Sequence, residues 1–241
     1  MTIHNKPLEF YVDKLKNNEY FSLGCYCDGE WIGIFHERVG GENSEGTKYT
    51  QELCDALAGS LNFKSDNFFF SSAEVLKNVA WTGIGEARID RYLEEHGLNI
   101  EFYEKDMWDK AMKECAMQTF ITQLRKMNVC IVSNRHLMRL HFLNYDYFIE
   151  IGYPNCYDEI DRVVDQCLRY GKSGVYLISA GLPAALIAQK LHNQIPNSWF
   201  IDCGSIWDSF VGIGAQRGWR AELYSNKEKY DNWLKMSLEG I

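Results

Sequence analysis

Four short apolar segments in the second half of the chain, each followed by a turn, constrain the fold more than any other feature. They are residues 129–133 (VCIVS), 147–151 (YFIEI), 174–179 (GVYLIS) and 199–203 (WFIDC). Their apolar residues run on consecutively instead of alternating, so both faces of each strand must be covered. Helical patterns lie between them. Residues 158–170 place Ile160, Val163, Val164, Cys167 and Leu168 on one helical face, and residues 183–193 read as a helix with Pro183 in its first turn. After the first strand, Leu137, Leu140 and His141 recur at helical spacing. Repeated β-α-β units with buried strands predict a parallel sheet clad by helices on both faces.

The first half is less regular. Residues 8–18, 49–61 and 84–96 read as helices, residues 20–26 and 100–103 as strands, and residues 106–126 as one long helix. The stretch 39–48, rich in Gly, Asn, Ser and Glu, reads as a loop. The expectation is a single domain over residues 1–241: α/β, Rossmann-like, with a mostly parallel sheet and a helical elaboration between roughly residues 35 and 125.

Composition narrows the class of protein. With 241 residues, 46% hydrophobic and 24% charged, the chain can bury a sizeable core without disulfides. It holds no apolar run long enough to span a bilayer, which predicts no membrane insertion. The N-terminal residues lack the apolar core of a secretion signal, so a cytoplasmic location is expected. The eight cysteines then read as reduced, mostly buried thiols. Cys25 and Cys27 are spaced i, i+2, which suits neither a zinc knuckle nor a redox pair. A net charge of −8 argues against general polyanion binding. A local basic run (Arg125, Lys126, Arg135, Arg139, with His136 and His141) keeps a nucleic-acid contact open.

Chemistry is expected at the carboxyl ends of the strands, where open α/β sheets bind ligands. Four segments fall there. Asp28-Gly29-Glu30 follows the first strand; two carboxylates one residue apart can address one hard cation such as Mg²⁺ or Mn²⁺. The same residues also make an ordinary turn, with Glu30 opening a helix. Ser179-Ala180-Gly181 is the second, where Gly181 lets the backbone approach a ligand and the following helix offers N–H groups to a phosphate. The third is Asp202-Cys203-Gly204-Ser205, in which an aspartate inside an apolar strand needs partners from the backbone or from a ligand. The fourth is Ser133-Asn134-Arg135, whose guanidinium could clamp a phosphate; Arg139 and His141 read better as a solvated helix face.

Taken in order, the Asp28-Gly29-Glu30 turn, the Ala180-Gly181 turn and the Asp202, Gly204, Asp208 segment resemble the glycosyltransferases of the GT-D fold. The resemblance implies a metal-dependent enzyme that moves a sugar from a nucleoside-diphosphate donor, UDP-sugar favoured, to a hydroxyl of a glycan or glycoprotein. It implies that Asp28 and Glu30 hold Mn²⁺ or Mg²⁺, and that Tyr26, Gly29, Arg135, Gly181, Gly204 and Ser205 line the donor. Asp28, Glu30, Asp202 and Asp208 are the catalytic candidates, with Glu86 a further possible base and Trp31 a packing surface for base or sugar. This chain has Cys25-Tyr26-Cys27 where the family has Arg-Phe-Gly, and Asp202-Cys203-Gly204-Ser205 where it has Asp-Ile-Gly-His. Arg135 is the candidate to replace the missing arginine. Two other readings stay open: transfer to hydroxymethylated bases in DNA, and a non-catalytic nucleotide-binding module. A methyltransferase is disfavoured because the first turn is not glycine-rich.

Overall fold

A computed structural model describes residues 2–43, 46–73, 84–213 and 218–241. Its frame is one eight-stranded sheet of β1 (Ile3–His4), β2 (Ser22–Cys25), β3 (Phe68–Ser72), β4 (Phe102–Glu104), β5 (Val129–Ser133), β6 (Tyr147–Glu150), β7 (Val175–Ser179) and β8 (Trp199–Asp202). The strands lie in the order β1-β4-β3-β2-β8-β7-β5-β6, and every pair is parallel. Strands from the first half thus occupy one side and strands from the second half the other. They meet at β2 and β8, where the strand order changes direction and an open α/β sheet leaves a crevice at its carboxyl edge.

The helices are α1 (Leu8–Lys16), α2 (Asp28–Ile34), α3 (Gln51–Ser60), α4 (Glu86–Glu95), α5 (Met107–Lys113), α6 (Gln118–Leu124), α7 (Ile160–Tyr170), α8 (Ala184–His192), α9 (Gly218–Tyr224) and α10 (Lys227–Ser237). Two-residue alternation along each strand sends side chains to opposite faces. Phe68, Phe70, Tyr176 and Phe200 pack into one core with α2, α3, α4, α7 and α8. Leu23, Phe69, Ile131, Leu177 and Ile201 pack into a second core with α1, α5, α6, α9 and α10. Continuous apolar strands are what two such cores require. Among the described residues, no helix is long and apolar enough to cross a membrane.

Several sequence expectations change. The segment 106–126 is two helices, not one: Cys115 turns into the left-handed region (φ 55°) and the Ala116 amide donates to the Ala111 carbonyl at 2.7 Å. The buried stripe Met107, Trp108, Ala111, Met112 does not continue in phase into Met117, Phe120, Ile121 and Leu124, so a straight helix would expose one of them. The stretch from 35 to 125 carries helices but also β3 and β4, which complete the sheet. β3 escapes the sequence pattern because a run of three phenylalanines has no readable period. The residues around 137–141 form two 3₁₀ turns, not a helix. Part of the 39–48 loop, residues 44–45, lies outside the described residues, and an antiparallel bridge joins Glu42 to Lys48 across it.

Candidate functional site

Asp202, the last residue of β8, is 3% exposed and bound on both carboxylate oxygens. Oδ2 accepts the Cys25 amide at 3.0 Å and Oδ1 accepts the Gly204 amide at 3.0 Å. Gly204 has φ +51°, a left-handed conformation that glycine takes without strain. The carboxylate therefore ties the end of β2 to the turn after β8. Burial raises its pKa, against the pull of Lys105 and of these two amides.

The Asp28-Gly29-Glu30 segment is the first turn of α2. Glu30 Oε2 accepts the Cys27 amide at 2.8 Å, and the Cys27 thiol faces the Glu30 backbone in return, a capping box. Local pattern thus places Glu30 by helix capping. Burial pushes Glu30 up to about 7 against the pull of Lys105, and the charge of Asp202 adds to the rise. Gly29 lies under Leu182: a Cβ at Gly29 would sit 2.8 Å from a Leu182 methyl. The Tyr49 hydroxyl donates to the Gly29 carbonyl at 3.2 Å. Those contacts bring the Asp28 turn against the turn between β7 and α8. There Gly181 (φ +63°) is exposed, and a Cβ on it would meet nothing within 4 Å.

Lys105 completes the cluster, and sequence reading passed over it. It is the first residue after β4, its amide donating to the Ser72 carbonyl at 2.9 Å. Its side chain extends along the carboxyl edge, so that a Cβ on Gly204 would lie 3.3 Å from Nζ. The ammonium also acts on the Cys27 thiol. Burial works against its charge, while the neighbouring Asp202 and Glu30 carboxylates favour it. Burial pushes the Cys27 thiol up to about 12, so it stays a neutral thiol. In the sequence, Lys105 stands between Glu104 and Asp106 and reads as part of a solvated charge run. Its place after a strand was the one signal available.

Among the described residues, no three His, Cys, Asp or Glu side chains converge as a metal cage. Asp202 turns both oxygens to backbone amides, Glu30 caps α2, and the Lys105 ammonium acts on both carboxylates. Lys105 acts on the same Glu30 and Asp202 carboxylates, which weighs against Mn²⁺ or Mg²⁺ shared by these two.

The other expected residues lie as follows. Tyr26 is fully buried, its hydroxyl bonded to Ser60 at 2.9 Å and to Gln189 at 2.9 Å, so it faces the core. Trp31 is likewise buried. Ser205 accepts from Arg220 through its hydroxyl at 2.9 Å and its carbonyl at 3.1 Å, while Arg220 also pairs with Asp109. Asp208 follows Ser205 by one turn and acts on Tyr224, on the side of α9. Glu86 opens α4. Arg135 is 73% exposed and pairs with Glu150 at 3.7 Å. It stands after β5, three strands from β2, about 14 Å by ordinary strand spacing. The basic run is divided by β5: Arg125 and Lys126 precede the strand, whereas Arg135 and Arg139 follow it, and Arg139 donates to the Val211 carbonyl. Two serines at the carboxyl edge, Ser71 on β3 and Ser179 on β7, bury hydroxyls that have no partner among the described residues.

No family model and no curated protein matches the sequence. Solved structures do match the fold. Two are structures of domain of unknown function 1792, one selenomethionine-substituted and one described as having a distinct glycosyltransferase fold. Each is 16% identical, with a TM-score of 0.62 over 96% of this chain and 90% of its own. A third, a glycosyltransferase (DUF1792) from Streptococcus sanguinis, is 13% identical with a TM-score of 0.63 over 96% of this chain and 98% of its own. At these identities the likeness is one of backbone architecture. The chain has the α/β glycosyltransferase fold described for these domains.

Proposed function

We propose that this protein is a glycosyltransferase that moves a sugar from a nucleoside-diphosphate donor, with UDP-sugar favoured, to a hydroxyl of a glycan or glycoprotein. One observation carries the reading: at the β2/β8 switch of a glycosyltransferase fold, the Asp28 turn packs against the open Gly181 turn, with Glu30, Asp202 and Lys105 gathered beside them. A ligand at this edge meets a flexible glycine backbone, half-buried acidic side chains and a cation. Such a set suits a polar, charged donor.

Within this reading, Asp28 stands at the rim to position donor or acceptor hydroxyls. Glu30, with its proton affinity near neutral, can take a proton from the acceptor hydroxyl. Asp202 holds β2 and β8 in register beneath them. Mn²⁺ or Mg²⁺ at Asp28 and Glu30 is what the resemblance implies. The split basic run gives DNA no continuous track to follow, which favours the glycan acceptor.

The direct test is a panel of nucleotide sugars incubated with the purified protein, with and without Mn²⁺ and with glycan or hydroxymethyl-DNA acceptors, reading released nucleoside diphosphate. Turnover of one donor class that needs an acceptor supports the proposal. No release from any donor, together with no nucleotide binding by calorimetry, overturns it.

A further inference from the structure

Resting on the glycosyltransferase reading, we infer that Lys105 is the resident cation of the site, the group that contacts the leaving diphosphate, so that donor binding needs no divalent ion. Three observations lead there. The first is position. Lys105 is anchored by its amide on Ser72 at the end of β3, and its Nζ reaches the turn after β8, so the side chain lies across the end of β2. That is the crevice in which the proposed donor phosphates would sit.

The second is charge. Glu30 and Asp202 face Lys105, and Asp28 is near enough to act on Cys27 beside it. A diphosphate entering among carboxylates needs a positive partner, and a preorganised charge costs no reorganisation at the moment of reaction. The third is what the neighbouring arginines do. Arg220 is held by Asp109 and Ser205, Arg139 by the Val211 carbonyl and Arg135 by Glu150, while Arg38 is exposed near Tyr49. Among the described residues, Lys105 is the cation that acts on both Glu30 and Asp202. It also answers the loss of the family's arginine before Asp28, a role that the sequence alone assigned to Arg135.

In the transfer, the bond between the sugar C1 and the β-phosphate oxygen breaks and its electron pair stays on the diphosphate. The acceptor oxygen bonds to C1, and its proton passes to Glu30. Lys105 remains an ammonium throughout, donating hydrogen bonds to the diphosphate as its charge grows.

Two measurements test this. Calorimetry with UDP and with GDP in the presence of EDTA compares wild type, Lys105→Met and Lys105→Arg, with circular dichroism to verify folding. Wild type should bind one nucleotide without metal, Lys105→Met should bind it at least about ten-fold more weakly, and Lys105→Arg should retain part of the affinity. In the nucleotide-free protein, Mn²⁺ titration should show Lys105→Met taking up the ion about ten-fold or more tightly than wild type, because removing the ammonium uncovers the carboxylates. Wild-type nucleotide binding that appears only with Mn²⁺, or equal Mn²⁺ affinity in the two proteins, overturns the inference and leaves the glycosyltransferase reading intact. No nucleotide binding by any variant, with or without Mn²⁺, overturns that reading itself.

Discussion

The carboxylate of Asp202 and the amide of Cys25 meet at 3.0 Å although the two residues are 177 positions apart. This bond joins β8 to β2 at the point where the two halves of the sheet meet. Asp202→Ala leaves the buried amide of Cys25 and the half-buried amide of Gly204 without their partner. The expected loss is about 1–3 kcal/mol of unfolding free energy for each amide left without a partner. Denaturant titration measures it, and a stability equal to wild type would show that the clasp contributes nothing.

Glu30 gives the protein a pH signature. Its carboxyl titrates at about 7 in the folded chain and near 4.5 when unfolded, so the folded state binds the extra proton between these values. Its contribution to stability is full below about pH 4.5 and falls as pH rises through about 7. Unfolding midpoints of wild type should decline from pH 5 to pH 7.5 relative to Glu30→Gln, which keeps the helix cap but cannot titrate. Parallel profiles for the two proteins would refute the assignment.

Asp28 carries the prediction for activity. It begins α2 at the rim of the crevice and is half-buried. Asp28→Ala should abolish sugar transfer while shifting stability by no more than about 0.5 kcal/mol, the usual range for a rim substitution. Steady-state turnover and a thermal melt on the same sample decide it; wild-type turnover would remove Asp28 from the site.

Arg135 is expected to be silent. An ion pair with Glu150 at 3.7 Å on a side chain 73% exposed is worth about 0–1 kcal/mol, and β2 lies three strands away. Arg135→Ala should keep nucleotide affinity and kcat/KM within about two-fold of wild type, well inside the loss expected of a severed charge-assisted hydrogen bond. A ten-fold loss would instead restore it as a phosphate clamp.

What the sequence determined by itself was the material of the fold. The runs at 129–133 and 174–179 read as strands covered on both sides, and 158–170 as a helix with one buried face, because local periodicity records which surfaces must leave water; the structure starts that helix at Ile160. Asp28, Glu30, Gly181 and Asp202 were legible too, since polar or glycine residues at the ends of apolar strands stand out against their neighbours. Tertiary structure decided the rest. Strand order, β1-β4-β3-β2-β8-β7-β5-β6, is set by pairing between segments far apart in the chain, and no local pattern encodes it. That order carried Arg135 away from Asp28 and turned Tyr26 into the core. It also laid Lys105 across the end of β2, where two carboxylates hold its charge. A lysine flanked by Glu104 and Asp106 looks the same in sequence whether it faces water or a crevice, because only the neighbours supplied by the folded sheet distinguish the two.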